Sequence, residues 1–256
     1  MLTLIQTLGR YTIEFIAETG RMFLFVLSTA ALAVRPPYRF NNLFKQVHFI
    51  GVRSLFVIVL TAIFAGMVLA LQGYYTLTRF GAEGMLGPAV ALSIIRELGP
   101  VLTGLMVTGR AGSALAAELG IMRIREQVDA LEVMGISSVQ FLVVPRILAG
   151  LLSLPILTVI FDVIGIFGGY LIAVQLLEMS SGTYFSGIES AVVMRDISTG
   201  LIKAFCFGLI VTWICTYKGY YAKRGAEGVS QATTSAVVLS SVLILVCDYF
   251  ITSVLL

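Results

Sequence analysis

The chain has 256 residues, of which 58% are hydrophobic and 12% charged, with a formal net charge of +3. So little polar surface cannot cover a water-soluble globule, and the composition is that of an integral membrane protein. The small positive excess is a topology signal and carries no nucleic-acid implication.

In chain order, residues 1–34 mix apolar groups (Ile13, Phe15, Ile16, Phe23, Phe25, Val26) with scattered charges. The pattern predicts one or two helices lying along the membrane interface. Met22 to Val34, between Arg21 and Arg35, is too short to span. Ala31-Leu32-Ala33 resembles a signal-peptide cleavage site, but Glu14 and Glu18 precede it, which argues against cleavage. Apolar runs near 52–78, 86–108, 147–176, 197–217 and 233–256 are each long enough to cross about 30 Å of hydrocarbon. The expected fold is therefore all-α, with interfacial N-terminal helices over 1–48 and a five-span bundle over 49–256.

Basic residues set the orientation. With the N-terminus in the cytoplasm, that side receives Arg10, Arg21, Arg35, Arg39, Lys45, Arg53, Arg110, Arg123, Arg125, Arg146, Lys218, Lys223 and Arg224, while the outer side receives only Arg79 and Arg195. The C-terminus is then outside. The three cysteines lack CxxC spacing and read as packing groups; the lone His48 has no companions for a metal site. No GxxxxGK[ST] loop is present, so any ATP-driven function requires a partner subunit.

Five charges fall inside expected spans: Arg96, Glu97, Asp162, Lys203 and Asp248. Each costs a few kcal/mol in hydrocarbon unless it meets a partner or a wet cavity. Counting roughly 1.5 Å per residue from the span ends puts them all in the outer half of the membrane. They form either a structural ion-pair network or a polar layer beside a substrate headgroup or gate. Arg96 and Glu97 project about 100° apart, so one is expected to meet Asp248 or Asp162 and the other Lys203. Pro100 removes the hydrogen bond to the Arg96 carbonyl and predicts a kink. Small residues from Gly104 to Ala117, and the Gly165–Gly169 pair, predict close helix packing or a dimer face.

Between Leu119 and Met134, Ile121, Ile124, Val128 and Leu131 recur at helical spacing, with Arg125, Glu126, Asp129 and Glu132 on other faces and Gly135 as a C-terminal cap. This predicts one amphipathic helix in the cytoplasmic loop between the second and third spans. It is either a connector lying on the interface or a coupling helix for a motor ATPase.

The stretch RELGPVLTGLMVTGRAGSALAAELGIMRIREQVDALEVMGI, with VPRILAG, SLPILT, LQGY, LIK and SQATT, closely resembles the MlaE-type permeases, membrane subunits of phospholipid ABC transporters of Gram-negative inner membranes with relatives in mycobacteria and chloroplasts. The resemblance covers nearly the whole chain and implies a single permease domain over 1–256, acting as a homodimer. It implies partners too: a cytoplasmic ABC ATPase that binds the ATP and Mg, a small STAS-domain protein and a periplasmic MCE-domain lipid carrier. The implied cargo is glycerophospholipid, moved for the sake of outer-membrane asymmetry. By the same resemblance, the helix around Glu118 to Glu132, including Arg123, engages the ATPase, and the first, second and fifth spans line a lipid cavity. Leu69, Leu71, Tyr74, Leu77 and Leu98 neighbour the charged layer at similar depth and are the candidate walls. A secondary transporter is disfavoured by the lack of an inverted repeat, an intramembrane protease by the lack of a GxGD context or a usable His. A pure scaffold stays compatible with these residues.

Overall fold

The computed structural model describes residues 2–36 and 40–255, with side chains described at 12–14, 16–36 and 40–255. Arg10 and Arg39, both used for the orientation, lie outside the described side chains. All regular structure among the described residues is helical.

Helix α1 (Leu2–Ala33) is one continuous element ending before Pro36. Nothing between Glu14 and Arg21 breaks a helix, so the charged and apolar halves fuse. As a result Thr12–Ala33 is itself long and apolar enough to cross a membrane, and among the described residues six helices meet that description where five were expected. Helix α2 (Phe40–Ile50) turns at Gly51 into α3 (Leu55–Thr78). The second long element is an almost unbroken rod over Glu83–Ile124. It comprises α4 (Leu86–Ser93), α5 (Gly99–Val107) and α6 (Ser113–Ile124), joined by wide π-type turns at Ile94–Leu98 and Thr108–Gly112. There follow α7 (Gln127–Val133), α8 (Val144–Leu171), α9 (Ser181–Ala191), α10 (Met194–Tyr220) and α11 (Ala226–Leu255).

Glycine permits the closest approach. A Cβ on Gly66 of α3 would lie 1.8 Å from the Gly165 carbonyl oxygen of α8, so the backbones touch and only hydrogen fits between them. The GxxxG expected at Gly165–Gly169 thus packs within one chain, against α3. The small-residue run divides by face. Gly104 meets Phe207 and Ile244, and Gly112 meets Cys215, whereas Gly109 has nothing within 4 Å.

Two elements differ from the sequence expectation. The amphipathic helix from Leu119 to Met134 is broken: α6 ends at Ile124, Glu126 takes a left-handed conformation (φ 58), and α7 restarts at Gln127. The turn swings Val128, fully buried, and Leu131 under α10 with Met22 and Phe25 of α1. Gly135 does cap the end, with φ 73 and the paired bonds Gly135 N–H to Glu132 O (2.9 Å) and Ile136 N–H to Leu131 O (2.9 Å). Helix α9 lies between the third and fourth expected spans, where the sequence pattern predicts no helix. It is held by Tyr184, fully buried, whose hydroxyl donates to the Ile166 carbonyl at 3.2 Å; burial raises this phenol's pKa above the ordinary range.

Helix α1 meets the rest of the chain at one end of the bundle. Glu18 pairs with Lys218, and the Trp213 indole donates to the Met22 carbonyl at 2.9 Å. The Phe25 ring lies 5.5 to 5.9 Å from Tyr217, Tyr220 and Tyr221, and Gln140 donates to the Arg35 carbonyl at 2.8 Å.

Candidate functional site

Proline chemistry shapes the charged site. At the wide turn Ile94–Leu98 the Gly99 N–H reaches back five residues to the Ile94 carbonyl, and Pro100 has no N–H to offer the carbonyl of Arg96. That spare oxygen accepts from Lys203 Nζ at 2.9 Å. The same ammonium meets Glu97 Oε2 at 2.5 Å and Asp248 Oδ1 at 2.9 Å. Three helical segments therefore converge on one cation whose side chain is 0% exposed.

The acidic partners are less enclosed: Glu97 is 40% exposed and Asp248 19%. Thr252, one turn beyond Asp248, donates to the Asp248 carbonyl at 2.8 Å and approaches Glu97 Oε1 at 3.3 Å. Buried lysine with two flanking carboxylates is a stable arrangement only while every member is present, because a lone buried charge keeps its full desolvation cost.

Arg96 turns the other way, to Asp196. Its Nε and Nη2 each lie 2.7 Å from Asp196 Oδ1, while Asp196 Oδ2 accepts the Val193 N–H at 3.0 Å. One carboxylate thus caps α10 and clamps the rod towards its Glu83 end. Sequence reasoning missed Asp196 and Thr252. Asp196 stands one residue before the fourth expected span, and an acidic group in the first turn of a helix was the signal that could have found it.

Asp162 does not join this cluster. It lies against Gly99, where a Cβ would come within 1.8 Å of its Oδ1, and that oxygen has no hydrogen-bond partner among the described residues. Of the expected wall residues, Leu69, Leu71, Tyr74, Leu77 and Leu98 are all half-buried. Leu69, Tyr74 and Leu77 pack against the bundle core.

At the far end of the rod the expected coupling residues split into two groups. Glu118 is held by the buried Arg146 at 3.0 Å, and Arg123 pairs with Asp129 at 2.5 Å. Glu132 Oε1 accepts from Ser138 (2.7 Å) and Tyr220 (3.2 Å), tying α7 to α10. Arg125 and Glu126 project outward, Glu126 lying 3.9 Å from Arg224. Beside them Val133 is 89% exposed and Met134 65%. These two apolar groups were not singled out from the sequence, being read as the helix's tail.

Comparison with known proteins agrees with this architecture. The family model described as Permease MlaE matches residues 43–254. A probable ABC transporter permease protein of Rickettsia bellii is 45% identical over 98% of this chain and 97% of its own length. The intermembrane phospholipid transport system permease protein MlaE of Haemophilus influenzae is 43% identical over 98% of this chain and 97% of its own. In Arabidopsis thaliana, the chloroplastic protein TRIGALACTOSYLDIACYLGLYCEROL 1 is 37% identical over 83% of this chain and 61% of its own. A multi-pass helical bundle, matched over most of its length by one family model and over nearly all of it by permeases, belongs to the MlaE permease family.

Proposed function

We propose that this chain is the membrane subunit of an ABC transporter that moves glycerophospholipids between a Gram-negative inner membrane and a periplasmic lipid-carrier system, maintaining outer-membrane lipid asymmetry. The observation that carries the reading is the polar cluster around Lys203, its lysine fully buried in the bundle and its Glu97 half-open. A lipid with two acyl chains wants apolar walls with one polar station; a small solute wants a continuous polar path. The likeness to the Haemophilus phospholipid permease supports the same cargo.

The working unit is a homodimer whose two copies enclose the cavity. A cytoplasmic ABC ATPase docks at Arg125, Glu126, Val133 and Met134 and supplies the ATP and Mg site, joined by a small STAS-domain protein and a periplasmic MCE-domain carrier. Five spans, α2 with α3, α4 to α6, α8, α10 and α11, carry the N-terminus in the cytoplasm and the C-terminus in the periplasm. Helix α1 lies on the cytoplasmic interface. Supporting this, Glu18 to Arg35 would rise about 25 Å along a helix, yet their partners Lys218, Trp213 and Gln140 all sit at one end of the bundle.

Native mass spectrometry of the complex, extracted gently from its own membrane, tests the proposal. Retained phospholipid together with an ATPase and an MCE protein is expected. A stable lipid-free complex would reduce the chain to a scaffold, and a partner-free monomer would remove the ABC reading.

A further inference from the structure

The bundle end that carries α1 also holds a second cationic site, remote from Lys203. Lys45, His48, Phe49 and Arg53, from α2 and the bend that follows it, form with Glu118 of α6 an open pocket of about 600 Å³. Arg110 stands behind it. Its Nη1 donates to the Phe49 carbonyl at 2.5 Å and approaches Ser54 Oγ at 3.3 Å, leaving Nε and Nη2 without an acceptor among the described residues. The guanidinium carbons of Arg53 and Arg110 lie 5.7 and 5.1 Å from the centroid of the same Phe49 ring.

Two guanidiniums around one ring repel each other, and a nearby carboxylate would ordinarily relieve them. The carboxylate lining this pocket, Glu118, is already engaged by Arg146 at 3.0 Å. Lys45, Arg53 and Arg110 have no carboxylate partner among the described residues. Meanwhile Phe40, Phe44 and Phe56 are 63%, 68% and 77% exposed around the same segment. Cations beneath an apolar rim match a molecule with an anionic head and hydrocarbon chains, and cationic pockets between membrane helices are suited to phosphate headgroups. A soluble phosphate would satisfy the charges and leave the rim in water.

We propose that this pocket binds the phosphate of an anionic glycerophospholipid in the membrane leaflet on the α1 side. It is distinct from the Lys203 cluster and depends on the orientation given above only for whether that leaflet is the cytoplasmic one. The test uses the full chain in phosphatidylcholine nanodiscs and measures association of spin-labelled phosphatidylglycerol relative to spin-labelled phosphatidylcholine. Wild type is expected to prefer phosphatidylglycerol, and Lys45→Gln/Arg53→Gln to lose that preference by about five-fold at an unchanged thermal midpoint. Arg53→Lys should retain most of it. A double variant that keeps the preference overturns the proposal, and so does displacement of the labelled lipid by millimolar inorganic phosphate, which would mark a soluble-anion site. In vesicles carrying phosphatidylglycerol in one leaflet, with protein orientation read by proteolysis of an N-terminal tag, the preference should require lipid in the leaflet on the tag's side. A preference confined to the opposite leaflet would overturn the placement of the site on the side of the N-terminus and make α1 a membrane-crossing helix.

Discussion

Lys203 holds its place by donating to the carbonyl that Pro100 leaves spare and to Glu97, and by an ion pair with Asp248. Lys203→Met should therefore lower stability by about 3 to 5 kcal/mol, with Asp248 contributing more than the half-exposed Glu97, whose share is screened. Combining it with Glu97→Gln and Asp248→Asn should restore much of the thermal midpoint. If lipid transport stays lost in that triple variant, the charges serve function and not only assembly; a triple variant as unstable as the single would refute the stranded-charge account. At Gly99 the expected effect is steric. Gly99→Ala should destabilise, reversing the roughly 1 kcal/mol that alanine ordinarily gains over glycine in a helix, and adding Asp162→Ala should recover part of the loss. Additive losses in that pair would mean that the two positions do not press on each other. Arg96, Glu97, Lys203 and Asp248 were legible as special because charge is expensive in hydrocarbon. Their pairing was legible only in part: Glu97 meets Lys203 as expected, whereas Arg96 goes to Asp196 and not to Asp248 or Asp162. Partner choice depends on helix phase, and the wide turn at Ile94–Leu98 inserts a residue that rotates everything after it.

At the scale of elements, the rod from Glu83 to Ile124 spans 42 residues. At about 1.5 Å per residue it far exceeds the hydrocarbon thickness, so the same element that presents Glu97 to Lys203 also projects the turn at Glu126. Helix α7 is then lashed back to α10 through Glu132, Ser138 and Tyr220. The outward groups and the lashing should separate on mutation. Glu126→Arg with Val133→Glu is expected to cut ATPase co-purification by ten-fold or so, about 1.4 kcal/mol, without altering the thermal midpoint. Tyr220→Phe, which breaks an internal bond, should lower stability by about 1 kcal/mol, read as a lower thermal midpoint, and leave ATPase binding closer to wild type. Unchanged co-purification in the first variant would remove the docking assignment. Gly135 was readable as a cap because glycine alone tolerates that backbone cheaply, but the break at Glu126 was invisible, since a glutamate with positive φ leaves no mark in the sequence. Helix α9 was hidden for a related reason: Tyr184 is its only buried residue, helped by Phe185 against Tyr170 and by Ile188, and so few contacts leave no apolar period to read.

Across the whole molecule, hydropathy located the five long runs but not the fate of α1, because its 22-residue stretch Thr12–Ala33, with mean hydropathy 1.4, can cross a membrane or lie along it. The surrounding contacts carry that distinction. In a background lacking Cys206, Cys215 and Cys247, Ile13→Cys and Ala31→Cys should both react with an impermeant thiol reagent from the same side. Labelling from opposite sides would make α1 a sixth span and reverse the placement of the first residues.

One further property follows from where α1 rests. The chain has a single tryptophan, and its indole is the group that holds the Met22 carbonyl. The protein's entire tryptophan emission thus originates at that one seam. Its colour and its quenching by added bromide should follow the seating of α1, giving the unlabelled permease an optical gauge of its own N-terminal helix.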